Sequence, residues 1–266
     1  MLRHRILTAV IGLPLLIAII WFGGPWFALL MAAMAGIAGW EFYGMASRLK
    51  IQPLTYFGIV WILLIVISPF CPYPSALTIL ITSAIIISLI WMLFRHPRDQ
   101  AFTGWAWTMA GILYIGWMLS YWVRLRGLET GKGLVFLTIF TTFANDTGAF
   151  FIGRTWGRHP LWRSVSAGKT WEGAIGGLAS SLAAVFIINA IFKLPFSYWQ
   201  IALAGLIISV FAQLGDLVES LLKRNSGVKD AGKLIPGHGG ILDRVDSLIF
   251  TGVIVYLLVE LAKLWA

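Results

Sequence analysis

The sequence predicts an all-α polytopic membrane protein, and three observations support this fold class. Of 266 residues, 59% are hydrophobic and only 12% are charged, whereas a soluble domain carries about 25% charged residues. Apolar runs of about 20 residues, the length that crosses a bilayer as a helix, recur along the chain with Gly, Trp and charge between them. The alternating segments of about ten residues that mark a membrane β-barrel are absent from the sequence.

Read in order, the runs predict about nine transmembrane helices in one continuous membrane domain. The first, about 5–22, follows the basic start Met1-Leu-Arg-His-Arg. Its long body and the lack of a cleavage site before the second run read as a retained helix, not a signal peptide. The second and third, about 27–45 and 54–70, are separated by Arg48 and Lys50. The fourth and fifth, about 76–94 and 103–122, flank Arg95 and Arg98, and a loop with Arg124, Arg126 and Lys132 precedes the sixth, about 133–152. A charge-rich loop, 153–171, leads to the seventh, about 172–192, and Lys193 precedes the eighth, about 198–222. A second charged loop, 223–240, precedes the ninth, about 241–262. Residues 1–130 form the N-terminal helices and residues 131–266 the expected catalytic region. No internal repeat is visible, which disfavours the repeated halves of many transporters.

With a cytoplasmic N-terminus, 15 of the 20 Lys and Arg fall on the inner side and 5 on the outer, as the positive-inside rule requires. Both charged loops then face the cytosol, in what is expected to be a bacterial inner membrane. The net charge of +9 reflects basic inner loops that meet anionic head groups. Because these bases flank helices instead of forming one face, nucleic acid is not expected as a partner. Trp21, Trp26, Trp122 and Trp199 read as interfacial anchors. The single cysteine, Cys71, excludes an intramolecular disulfide and a cysteine-based zinc site.

Eleven acidic residues carry most of the functional signal. Glu41, Asp99, Glu129 and Glu260 lie at helix ends or in loops and read as ordinary solvated groups. Asp146, Asp216, Glu219, Asp243 and Asp246 fall inside or beside apolar runs, where a carboxylate needs a cavity and a cation. Asp216 and Glu219 are three residues apart, as are Asp243 and Asp246, so each pair shares a helix face. A connection of about 18 residues allows the two helices to be antiparallel neighbours with both pairs at the cytoplasmic end. Such hard oxygen ligands suit Mg²⁺. The spacing is equally compatible with ion pairs to Arg244 and Lys223.

The segment Arg163 to Gly173 contains Gly-Lys-Thr but lacks the earlier glycine and the preceding strand of a phosphate loop. Ser166, Lys169 and Thr170 still precede a helix N-terminus, where anions bind. Glu172 reads as a helix cap, and Gly173-x-x-x-Gly177 as a packing motif. In the second loop, Lys223, Arg224, Lys229 and Lys233 match a polyphosphate's charge, and Gly237, Gly239 and Gly240 allow backbone N–H groups to approach it. His238 would donate to a phosphate oxygen or leaving group, or be structural.

The pattern Ser220, Lys223-Arg224, Lys229-Asp230, Pro236, His238-Gly239-Gly240, Asp243-Arg244, Asp246 resembles the signature of the phosphatidate cytidylyltransferase, or CDP-diacylglycerol synthase, family. Asn-Asp-Thr-Gly from Asn145 and the Ser166-to-Gly173 segment resemble it too, with Ala167 where that family has a proline. The resemblance implies CTP plus phosphatidic acid giving CDP-diacylglycerol and pyrophosphate, with one or two Mg²⁺ per site and a homodimer. On that basis Asp216 and Asp243 are expected as principal metal ligands, with Asp246 third and Asp146 and Glu219 supporting. Lys169, Lys223, Arg224, Lys229 and Arg244 would hold phosphates, and His238 would orient or protonate pyrophosphate. A CTP-dependent lipid-alcohol kinase shares these requirements but would release CDP. An ion transporter would spread its acids along the bilayer midplane, and the Asp-Gly-x-x-Ala-Arg motif of CDP-alcohol phosphotransferases is missing.

Overall fold

The computed structural model describes residues 12, 14–94, 100–232 and 239–264. The expected positions Arg3, Arg5, Arg95, Arg98, Asp99, Lys233, Gly237 and His238 lie outside the described residues. Among the described residues, six helices are long and apolar enough to cross a membrane, and the only strands form one two-stranded hairpin. The chain divides into two compact units. One comprises Met1–Arg124 with Asn225–Arg244, and the other Leu125–Arg224 with Val245–Ala266.

In the first unit, helical residues 14–22 end at Gly23, where Gly23 (φ 64°) and Gly24 (φ 55°) take a left-handed backbone that only glycine adopts freely. Pro25 then starts α1 (Gly24–Arg48). Its buried face is largely small, with Ala28, Ala32, Ala35, Ala38 and Ala46, as close helix packing without a hydrophobic driving force requires. Against it lies α2 (Thr55–Ile67), which ends in a 3₁₀ turn at Ser68–Phe70 around Pro69. Helix α3 (Ala76–Leu93) buries only Ala84 and Ser88, which leaves most of its surface for lipid.

The expected span 103–122 is instead three consecutive pieces, α4 (Ala101–Gly111), a π turn (Ile112–Trp117) and α5 (Met118–Gly127). Arg124 and Arg126 therefore belong to a helix, not to a loop. Trp122 is buried and does not act as an interfacial anchor, whereas Trp21, Trp26 and Trp199 are exposed.

Tyr43 organises this unit. Its hydroxyl donates to Thr108 O at 2.9 Å, and its ring fills the space that a Cβ on Gly58 or Gly111 would occupy. Gly58→Ala or Gly111→Ala is expected to overpack this contact and destabilise the fold by about 1–3 kcal/mol, measurable as a lowered thermal midpoint in detergent.

In the second unit, α6 (Gly131–Trp156) and α7 (Trp171–Phe192) run antiparallel, joined by the hairpin of β1 (Pro160–Trp162) and β2 (Ser166–Thr170). Their seam is lined by glycines. A Cβ on Gly148 would meet Ser180, one on Gly153 would meet Thr170, and one on Gly176 would meet Ile152. Gly173 and Gly177 of the expected packing motif lie against Ala149 and Asn145. Helix α8 (Tyr198–Asn225) up to Arg224 and helix α9 (Leu242–Leu264) from Val245 onward complete the unit, and Leu242–Arg244 of α9 belong to the first. Gly215 of α8 sits so close to α9 that an added Cβ would lie 2.7 Å from Asp246 O.

Candidate active site

The close crossing at Gly215 sets two carboxylate-bearing helices side by side. On α8, Asp216 and Glu219 are followed one turn later by Lys223, and Asp246 faces them from α9. The ligand oxygens of Asp216, Glu219 and Asp246 lie within 4.8 Å of one another. Glu219 is fully buried and forms an ion pair with Lys223. From β2, Lys169 reaches Asp216 Oδ2 at 2.8 Å. Asp216 also accepts from Ser220 Oγ at 3.5 Å, and Asp246 accepts from Ser247 N at 2.7 Å.

Asp146, Lys169 and Asp216 line one cleft of about 300 Å³ with Gly168, Thr170, Gly173 and Gln213. Four carboxylates (Asp146, Asp216, Glu219, Asp246) and two ammonium groups (Lys169, Lys223) meet here, with a formal balance of −2. A surplus of two negative charges among oxygen ligands, of which Glu219 is buried and Asp216 and Asp246 are half-buried, fits a divalent cation.

A polar network holds Asp146. The Gln213 amide nitrogen donates to Ala174 O at 3.2 Å. A backbone carbonyl only accepts, so the Gln213 amide has one orientation. The same nitrogen donates to Asn145 Oδ1 at 3.2 Å, joined there by Ser209 Oγ at 2.8 Å. Asn145 must therefore turn its Nδ2 toward Asp146, and it donates to Oδ1 at 3.0 Å. Asn145→Leu is expected to release Asp146 and lower the activity of this site about 10–100-fold, as loss of a ligand-orienting partner does. Asn145→Gln should not restore it, and metal titration of the rate should show a weakened cation response.

Several expected phosphate contacts are already committed elsewhere. Thr170 is the N-cap of α7, accepting from Gly173 N at 3.1 Å. Ser166 and Lys169 lie on a strand, not on a loop before a helix. Glu172, read as a helix cap, instead holds the preceding turn. It accepts from the Arg158 and His159 backbone N–H groups and pairs with His159 Nδ1 at 2.5 Å. Arg224 is exposed and donates to Val165 O at 3.4 Å. Gly173 and Gly177 serve packing, as their spacing implied.

The first unit holds the other half of the motif. Asp243, expected as a principal metal ligand, accepts from Ala231 N at 3.0 Å and Gly240 N at 2.8 Å. Its oxygens are thus engaged by backbone amides, and the Gly240 N–H expected to meet a phosphate is taken by Asp243. Gly239 has φ 83°, which explains glycine at that position. Lys229 and Arg244 are exposed.

Glu41 is the clearest surprise. Read as a solvated helix-end acid, it is only 7% exposed. It accepts from Ile241 N at 3.1 Å and Leu242 N at 2.8 Å, and a Cβ on Gly240 would overlap its carboxylate. Glu41 therefore caps the start of α9 from a distant point in the sequence. Only its burial could have revealed this, since its sequence neighbours resemble any helix end.

The architecture is that of a polytopic membrane protein with an acidic, lysine-flanked centre. The model of the Cytidylyltransferase family matches residues 3–262, and the chain belongs to that family. It is similar to the phosphatidate cytidylyltransferase of Bacillus subtilis (strain 168), at 34% identity over 98% of each chain. The enzyme of that name from Synechocystis sp. is 34% identical over 97% of this chain and 96% of its own. Phosphatidate cytidylyltransferase 4, chloroplastic, of Arabidopsis thaliana is 33% identical over 96% of this chain and 72% of its own.

Proposed function

We propose that this chain transfers CMP from CTP to phosphatidic acid, giving CDP-diacylglycerol and pyrophosphate for phospholipid biosynthesis. The observation that carries this reading is the Asp216, Glu219 and Asp246 cluster, flanked by Lys169 and Lys223, in a membrane protein of the cytidylyltransferase family. Residues 131–266 supply most of this machinery. The distribution of Lys and Arg supports a cytosolic active site at the inner membrane of a bacterium, and the family resemblance supports a homodimer.

Asp216 and Asp246, with Glu219, are the proposed Mg²⁺ ligands, and Asp146 is a further carboxylate at the same cleft. Bound there, Mg²⁺ would neutralise triphosphate charge and polarise the α-phosphorus. The attacking group is a phosphatidate oxygen. A phosphate monoester has a second pKa of about 6, so it is largely dianionic at neutral pH and needs no strong general base. Its oxygen bonds to the α-phosphorus of CTP while the bond from that phosphorus to the bridging oxygen breaks, and pyrophosphate leaves with the electron pair. The protein's task is alignment and charge stabilisation. Lys169 and Lys223, which pair with Asp216 and Glu219, are the cations assigned to the phosphate oxygens of the substrates. Arg224, Lys229 and Arg244 supply further positive charge, Ser166 and the Gly239 backbone are assigned to nucleotide contacts, and His238 to orienting or protonating pyrophosphate. Asp243 acts through the segment it holds.

Incubation with CTP labelled in the cytosine ring and with phosphatidic acid, with and without Mg²⁺, tests the reading. Label is expected in the extracted lipid only when Mg²⁺ is present, with one pyrophosphate per CDP-diacylglycerol. Label retained in the aqueous phase as CDP would overturn it.

A further inference from the structure

The hairpin between α6 and α7 has a surface that the proposed chemistry does not use. From Arg154 to Trp171 there is no acidic residue, and Arg158 and Arg163 are exposed. Three tryptophans are exposed in the same stretch, Trp156 at 67%, Trp162 at 56% and Trp171 at 57%. Trp156 ends α6 and Trp171 begins α7, while Trp162 stands out on β1.

The hairpin is also held in place. Val165 is buried, Arg224 Nε donates to its carbonyl, and Trp171 N donates to His159 O at 2.9 Å. Glu172, the nearest acid, is occupied by His159 and the Arg158 amide. The arginines are therefore left facing outward from a fixed frame.

Two antiparallel helices of membrane-spanning length place the hairpin between them at a bilayer surface. Indole rings are favoured at that level because an apolar ring carries a polar N–H, and a layer of lipid phosphates complements exposed arginines such as Arg158 and Arg163. We propose that the Arg154–Trp171 hairpin lies in the headgroup layer and binds anionic glycerophospholipids of the membrane through Arg158 and Arg163, with Trp162 as its buried keel. The same element carries Lys169 into the cleft, so lipid phosphate is concentrated beside the acceptor site. That last consequence rests on the lipid-substrate reading, whereas the docking itself does not.

The test uses the full chain with Cys71→Ser and Trp162→Cys, labelled with an environment-sensitive fluorophore and reconstituted into phosphatidylcholine bilayers with or without phosphatidylglycerol. The label is expected to be quenched by lipids brominated near the glycerol and shielded from iodide, with stronger lipid quenching when phosphatidylglycerol is present. Arg158→Gln with Arg163→Gln should erase that dependence on anionic lipid. Native Trp162 provides a label-free check, since Trp162→Phe should remove part of the intrinsic quenching by brominated lipid. A label open to iodide and untouched by brominated lipid in both bilayers, with no change for Trp162→Phe, would overturn the proposal. Quenching that ignores phosphatidylglycerol would overturn the arginine assignment. Failure of CMP transfer would leave these readouts unchanged, so the two proposals fail separately.

Discussion

Asp216→Asn and Asp246→Asn are each expected to reduce CDP-diacylglycerol formation by about a hundredfold or more, since even partners one shell out from a metal cost about 10–100-fold. Both substitutions preserve size and remove one negative charge from a centre whose formal balance is −2. Asp216 is the more exposed to change, because its loss also leaves Lys169 without the carboxylate it meets at 2.8 Å. Raising Mg²⁺ should recover part of the rate if the lost group is a ligand. The measurement is radiolabelled lipid formation against Mg²⁺ concentration, with protein folding checked by thermal unfolding in detergent. Near-normal rates in both variants would remove these carboxylates from the mechanism.

Glu41→Ala is expected to lower stability by about 3 kcal/mol, the sum of two amide groups losing a charged acceptor at a buried helix start. Ile241 N and Leu242 N each meet a different oxygen of the same carboxylate. Glu41→Gln keeps the volume but replaces one acceptor with an N–H that faces another N–H, so it should cost less than the alanine variant and still lower the midpoint. Thermal unfolding in detergent reads both. A midpoint equal to wild type in Glu41→Ala would show that water replaces the cap at no cost.

The contrast between Glu41 and Asp216 explains what was legible in the sequence. Asp216, Glu219 and Asp246 sit in otherwise apolar helices, where the cost of a charge advertises a function. Spacing by three, Asp216 with Glu219 and Asp246 with Asp243, then gives a shared face on each helix without tertiary information. Glu41 carries no such mark, and the mark on Asp243 does not reveal its amide partners, because both sets of contacts depend on backbone amides brought to the carboxylates by the fold. Lys169 was legible as a phosphate-seeking cation, but its place on a strand was not, since five residues of hairpin are set by the helices they join. The long helices were read within a few residues. The span at 103–122 was not, because hydropathy does not register the π turn at Ile112–Trp117 or the burial of Trp122.

The glycine seam of α6 and α7 bears on biogenesis. These two helices and their hairpin are contiguous in sequence, so they form a local pair that can close soon after residue 192 leaves the ribosome. Asp146 and Lys169 are then placed early, whereas Asp216 and Asp246 arrive only with α8 and α9. A nascent chain therefore remains without its complete acidic centre until α9 is inserted, and a chain stopped before Asp246 would hold Asp216 and Glu219 without the carboxylate that faces them.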